Sequence, residues 1–113
     1  MRQHLSDQNQ RAVLAILNDL FLLEKKITKT APGEGLVRYV SRIKEHFALL
    51  GFIIDDPLGE PFSETRTDCE ATIAGESTEN LIIEEVLKPI VRRRDQDSTF
   101  LLQRAVVIVR SES

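Results

Sequence analysis

Two segments in the first half of the chain carry apolar residues alternately three and four positions apart. The first extends from Ser6 to about Thr30 without a glycine or proline, and Ser6 or Asp7 is a suitable N-cap. Its seam residues at this spacing are Val13, Ile16, Leu20, Leu23 and Ile27. A second apolar stripe beside this seam contains Leu14, Leu17 and Phe21. The pattern predicts an amphipathic helix that needs more than one neighbour, because it has two apolar stripes.

A second helix follows a short break that contains Pro32 and Gly33. We expect it to extend from about Glu34 to Leu50 and to end at Gly51, where a positive φ is needed. Its seam residues repeat the same spacing and are Leu36, Val40, Ile43, Phe47 and Leu50. The two segments are therefore predicted to form an antiparallel helical hairpin.

One hairpin cannot cover both stripes of its first helix. A second copy of the chain would solve this by forming a dimeric four-helix bundle with twofold symmetry, in which the ten seam residues make the dimer interface. The alternative is that the C-terminal half of the same chain folds back over the exposed stripe. We expect the dimer, with residues 1–51 as the dimerisation bundle.

Residues 52–113 have a different pattern and are predicted to form a small antiparallel β-domain, which makes the fold α+β. A short β-type run begins at Phe52, and a turn-rich loop containing Pro57, Gly59 and Pro61 follows it. Three longer strands are predicted, at Asp68–Ala74, Asn80–Lys88 and Thr99–Arg110. The segment 75–78 is expected to join the first two as a hairpin-like turn, and 92–98 is expected to be a loop.

Composition excludes several classes of protein. Lys and Arg number 15 against 18 Asp and Glu, and this net charge of −3 argues against a protein that binds nucleic acid by charge. A single cysteine, Cys69, allows no intrachain disulfide. The apolar runs are too short for a membrane span or a signal peptide. We therefore expect a cytoplasmic protein.

The residues that carry chemistry do not converge in the sequence. Adjacent carboxylates at Asp55–Asp56 and Glu84–Glu85 should point to opposite faces of their strands, so neither pair suits acid–base catalysis. Neighbouring carboxylates should raise the pKa of the Cys69 thiol, which favours an inert cysteine. His4 and His46 do not have metal-ligand spacing with Cys69. We expect neither an enzyme nor a cofactor or metal site, although the loop between Asp55 and Glu70 is where an enzyme site would lie.

Four stretches of the chain resemble GrpE, the nucleotide exchange factor of DnaK-type chaperones. Residues 13–20 (VLAILNDL) are similar to the start of the family's bundle helix, and Glu34-Gly35 precedes Gly51-Phe52 at the family's spacing. The most specific stretch is 56–62 (DPLGEPF). The last comprises 85–87 (EVL) and 105–109 (AVVIV). The resemblance implies a homodimer whose β-domain opens the nucleotide cleft of a chaperone ATPase domain and promotes ADP release without covalent chemistry.

The resemblance also implies which residues contact the chaperone. These are Gly35 at the start of the second helix, Phe62 in the loop, and Leu87 and Val109 on the strands. Simple core packing is the alternative for Phe62, Leu87 and Val109, and a helix-start glycine is the alternative for Gly35. We add Arg92, Arg93 and Arg94 as contacts, because the ATPase lobes of such chaperones are generally acidic.

Several family features are altered in this chain. Only about a dozen residues precede the bundle helix, so we expect the long N-terminal helix of the family to be absent. Cys69 stands where the family has a histidine, and Pro89-Ile90-Val91 replaces the glycine and tyrosine after the EVL stretch. These departures favour a divergent exchange factor. They also leave open a second reading, a GrpE-like structural or adaptor dimer without exchange activity.

Overall fold

The computed structural model describes residues 7–112, which form an α+β fold of two helices followed by six strands. The helices are α1 (Asp7–Thr30) and α2 (Leu36–Leu49). The strands are β1 (Phe52–Asp55), β2 (Cys69–Ala74), β3 (Leu81–Lys88), β4 (Ile90–Asp95), β5 (Ser98–Gln103) and β6 (Ala105–Ser111). The predicted class, with two helices before the strands, is confirmed. The cap predicted at Ser6 lies outside the described residues.

The ends of α2 are set by two glycines in the left-handed region. The helix begins at Leu36, two residues later than predicted, because Gly35 has a φ of 74° and cannot continue a right-handed turn. At the other end, Gly51 has a φ of 95°, and its N–H donates to the carbonyl of Ala48 at 2.9 Å. The predicted role of Gly51 as the residue that ends this helix is confirmed.

The second helix returns along the first. Lys44 Nζ donates to Glu24 Oε1 at 3.0 Å, and Phe47 packs in the same cluster as Leu17. Leu20 on α1 and Val40 on α2 are buried. Half of the ten predicted seam residues are therefore covered by other parts of the same chain.

The strands form two small sheets, so the prediction of one antiparallel sheet is wrong. Sheet A is antiparallel and has the order β1-β4-β5. Sheet B has the order β2-β6-β3, in which β2 is parallel to β6 and β3 is antiparallel to it. The turn after β2 does not form the predicted hairpin, because β6 lies between the two strands that the turn connects.

The predicted strand Thr99–Arg110 is also wrong, because the chain leaves one sheet for the other at Arg104. Its guanidinium donates to the carbonyl of Cys69 at 2.9 Å and to Glu70 at 3.3 Å. The next residue, Ala105, donates its N–H to the carbonyl of Asp68 at 2.9 Å. These contacts turn the backbone from β5 into β6, and they depend on residues 34 to 37 positions away.

Both sheets pack on α1. Phe21 belongs to a core cluster with residues of sheet B, and Leu17 belongs to a second cluster with Phe52 and Val91 of sheet A. The C-terminal half thus covers the stripe that contains Leu17 and Phe21. This is the alternative considered from the sequence, and it holds for that stripe.

Candidate functional site

The loop that carries Phe62 is hydrogen-bonded to the outer edge of β3. The Asp56 side chain accepts from the Leu58 N–H at 3.1 Å, and Gly59, with a φ of 83°, turns the chain so that its N–H reaches the Ile83 carbonyl at 2.9 Å. The N–H of Phe62 donates to the Leu81 carbonyl, also at 2.9 Å. The sequence DPLGEPF therefore encodes a fixed turn, and it holds Phe62 half-buried against the core of sheet B.

Leu87 and Phe62 lie at opposite ends of β3. Leu87 is 44% exposed and stands at a bulge between Val86 and Lys88. Phe62 is hydrogen-bonded beside Leu81, six residues away, which is about 20 Å along a strand. Both predicted contacts therefore lie along β3, but they do not form one contact site.

Val109 cannot be a partner contact. Its side chain has no exposed surface, because it lies at the centre of sheet B between β2 and β3 and packs in the core. The prediction from the resemblance is wrong at this position, and the core-packing alternative holds.

The run Arg92–Arg94 is part of β4 and not the predicted loop. Arg92 forms ion pairs with Asp55 and Asp68. Arg93 stacks its guanidinium over the Phe52 ring at 4.5 Å, and its Nε is buried without a hydrogen-bond partner among the described residues. Only Arg94 is exposed. The predicted loop at this position is wrong, because these residues pair with β5. Alternation along the strand sends neighbours to different faces, and Arg92 and Arg93 are engaged within the chain, so partner contact by the three arginines stays a prediction.

Gly35 lies at the end of α2 opposite the one that leads into β1. It precedes α2, whose 14 residues span about 21 Å and end beside β1. A side chain at this position would meet only the end of Arg38, at 3.9 Å. Its positive φ explains the glycine, as in the helix-start alternative, and steric obstruction does not.

A network of five charged groups joins the loop, up to the residue before β2, to strands β1 and β4. Arg92 bridges Asp55 of β1 and Asp68 before β2, with a distance of 3.2 Å to Asp68. Arg66 bridges Asp68 at 2.6 Å and Glu60 at 2.8 Å. The groups line a polar hollow of about 250 Å³. Sequence reasoning missed this network, since its ion pairs join residues 2 to 37 positions apart and the sheet pairing brings Arg92 to Asp55 and Asp68.

The hydrogen bond from Arg66 lowers the pKa of Asp68, and the same bond raises the pKa of Arg66. The carboxylate of Asp68 stays ionised and its oxygens are occupied by two guanidinium groups. Such a group is a poor general base. The network therefore ties the loop to β1 and β4, and the absence of acid–base catalysis in this loop stays a prediction.

Cys69 begins β2 and is buried in the core. Burial is the largest cause of its raised pKa, and the neighbouring Asp68 adds to it while Arg66 opposes it. The pKa of the thiol is raised, as predicted. The main cause is the loss of hydration on burial, however, and not the flanking carboxylates. The thiol is thus protonated near neutral pH and inaccessible.

A cleft of about 610 Å³ opens beside Phe62, at the end of sheet B. Its apolar surface includes Phe62, Ile73 and Leu81. Glu64 and Glu112 also line it. The sequence pattern contains no signal for this cleft, because its sides come from four separate segments of the chain.

The hairpin leaves an apolar face uncovered, which we call the open hairpin face. It consists of five seam residues, each more than 40% exposed: Ile16, Leu23, Leu36, Ile43 and Leu50. The other seam residues are buried or half-buried within the chain, and two of them, Val13 and Phe47, pack in the cluster with Phe52 and Val91 of sheet A. These five residues are Val13, Leu20, Ile27, Val40 and Phe47.

Helix periodicity puts the two exposed stripes on the same side of the hairpin. On α1, the buried Leu20 faces the other helix. Around the helix axis, Ile16 lies on one side of Leu20 and Leu17, which faces the sheets, lies on the other. On α2, the buried Val40 likewise faces the other helix. Ile43 lies on one side of Val40, and Ser41, which lines a groove with β1, lies on the other. Since the helices are antiparallel, both stripes face away from the sheets.

The described part of the chain has no group of three or more His, Cys, Asp or Glu side chains arranged to hold a metal ion. Neither α1 nor α2 combines the length and the apolar character that a membrane crossing requires.

Comparisons of the chain with protein-family models, with curated proteins and with solved structures found no match.

Proposed function

We propose that this chain is a GrpE-like nucleotide exchange factor that acts in the cytoplasm as a homodimer. The open hairpin face is the observation that carries the proposal. In a four-helix bundle each helix contacts two other helices, and α1 and α2 each have one helical neighbour and one free apolar stripe. A second copy would cover both stripes and complete the bundle.

The chaperone ATPase domain would contact the β-domain. Leu87 offers an exposed apolar side chain, and Arg94 on β4 offers an exposed cation. The loop with Phe62 is already fixed by its hydrogen bonds to β3, so little conformational entropy is lost when a partner covers it. The loop thus supports a preformed contact at Phe62, with Leu87 and Arg94 as separate contacts.

Exchange in this proposal is a shift between two states of the chaperone. The factor binds the open nucleotide cleft more tightly than the closed one, so ADP leaves faster. Thermodynamic reciprocity requires nucleotide to weaken the binding of the factor by the same amount. The chain itself makes or breaks no covalent bond.

A second candidate is a GrpE-like adaptor dimer without exchange activity. Val109 is buried, and Arg92 and Arg93 are engaged within the chain, so three of the seven predicted contacts are not free for a partner. An adaptor would bind the chaperone and leave its nucleotide kinetics unchanged.

Release of labelled ADP from the chaperone of the same cell tests the two functions. The exchange factor accelerates release, while the adaptor binds without acceleration. Leu87→Asp should weaken binding by about tenfold or more. The control is Leu101→Asp, because Leu101 is equally exposed but lies on β5. Absence of both binding and acceleration at saturating protein would reject the proposal.

A further inference from the structure

The apolar inner face of sheet B is incompletely covered toward the end of β2. Cys69, Ala71 and Ile73 alternate onto this face, yet burial falls along the strand from fully buried Cys69 to Ile73, which is 40% exposed. Ile73 is paired with Val109, which has no exposed surface. The core of the sheet thus continues to the surface in the cleft beside Phe62.

The size of the cleft suits a few side chains of a partner. Its volume of about 610 Å³ falls within the range of ligand sites. Phe62 and Leu81 form its apolar floor together with Ile73. Such a surface favours an apolar anchor that covers Ile73.

The charge around the cleft is negative and uncompensated. Glu64 and Glu112 line it, and among its described lining residues there is no lysine or arginine. Two basic side chains on the elements that carry the cleft are paired with other carboxylates, since Arg66 is paired with Glu60 and Asp68, and Arg110 is paired with Glu84 at 3.0 Å. Residues 52–113 contain thirteen acidic and seven basic residues, so the wider field has the same sign.

We propose that this cleft is a docking site for a segment of a partner protein in which an apolar side chain lies between two lysines or arginines. The apolar side chain would cover Ile73 and Phe62, and the cations would lie beside Glu64 and Glu112. An acidic segment is disfavoured by the same carboxylates. This inference does not depend on dimerisation or nucleotide exchange.

A titration of the ¹⁵N-labelled full chain with an acetylated, amidated lysine–leucine–lysine tripeptide tests the proposal. We expect saturable amide shifts centred on Phe62, Ile73 and Leu81, and we expect binding to weaken as salt increases. Glutamate–leucine–glutamate and lysine–glycine–lysine serve as control peptides and should bind much more weakly. Equal binding of the acidic peptide, shifts centred elsewhere, or no saturable shifts would overturn the proposal.

Matched variants separate the two parts of the site. Glu64→Lys should weaken binding of the basic peptide up to about fivefold, whereas Glu85→Lys, on an exposed part of β3, should not. Ile73→Thr should weaken it about fourfold, whereas Leu101→Thr on β5 should not. Equal effects of site and control variants would overturn the proposal, and the amide spectrum of each variant reports whether it is folded.

Discussion

At the residue scale, Gly51 joins the helices to the sheets at a point where no side chain fits. Its φ of 95° lies in the left-handed region. A Cβ here would stand 2.4 Å from the carbonyl oxygen of Arg94, whose N–H donates to the Gly51 carbonyl at 2.7 Å. Backbone strain and a backbone clash therefore both exclude other residues.

We expect Gly51→Ala to lower the free energy of unfolding by about 2 kcal/mol or more, measured by urea denaturation. Gly33→Ala is the control, because Gly33 has no atom within 4 Å of an added Cβ. That control should change stability by no more than about 0.5 kcal/mol. Equal effects of the two substitutions would contradict the close approach at Gly51.

Asp68 is the residue through which pH should act on stability. Arg66 holds the pKa of this carboxyl below its ordinary value, mainly through a hydrogen bond of 2.6 Å. A group with a lowered pKa in the folded state stabilises the fold above its unfolded pKa, which is about 4. That contribution is lost as the pH falls through the folded pKa.

The free energy of unfolding of the wild type should therefore fall more steeply below about pH 4 than that of Asp68→Asn. The stability difference between the two proteins should be largest near neutral pH and should shrink on acidification. Urea titrations at a series of pH values measure it, with Glu85→Gln as the exposed control. A difference that stays constant with pH would show that Asp68 has no lowered pKa.

At the element scale, β4 shows where sequence reasoning loses information. The heptad spacing predicted α1 and α2 well, because helix periodicity is local and each seam recurs several times. A run of three arginines carries no such local signal for a strand. Arg92 is compatible with β4 only because Asp55 and Asp68 neutralise it, and Arg93 only because it stacks on Phe52.

Loss of Arg92 should therefore weaken the connection among β1, β2 and β4. We expect Arg92→Met to lower the free energy of unfolding by about 1 kcal/mol, since both its partners remain and lose a cation. Arg94→Met, at the exposed member of the same strand, should change it by less than about 0.5 kcal/mol. Thermal or urea unfolding distinguishes the two, and identical stabilities would contradict the network.

The candidate sites show the same limit on sequence reasoning. The DPLGEPF stretch identified the Phe62 loop, because its turn residues act on their immediate neighbours. Val109 was wrongly predicted to be a partner contact, because apolar and polar residues alternate in the same way on a strand at the edge of a sheet and on one at its centre. Only the strand order β2-β6-β3 shows that Val109 lies on the central strand. The cleft combines residues 61–64 with Ile73, Leu81 and Glu112, which the sequence keeps far apart.

At the scale of the whole molecule, the helical hairpin forms a layer with the two sheets on one side. The sheets bury Leu17 and Phe21, and the hairpin's own interior buries Leu20 and Val40. The five residues of the open hairpin face are left on the other side. An apolar surface shared by two helices is unusual for a chain that acts alone.

Pairing through the open hairpin face is the central claim, and sedimentation equilibrium tests it most directly. The wild type should have twice the 12.8 kDa mass of the chain. Ile43→Asp should reduce it to the single-chain mass, because dimerisation would bury an unpaired charge. Leu101→Asp, a similarly exposed site on β5, should remain dimeric. A wild type that sediments at 12.8 kDa, or an Ile43→Asp variant that stays dimeric, would contradict the account.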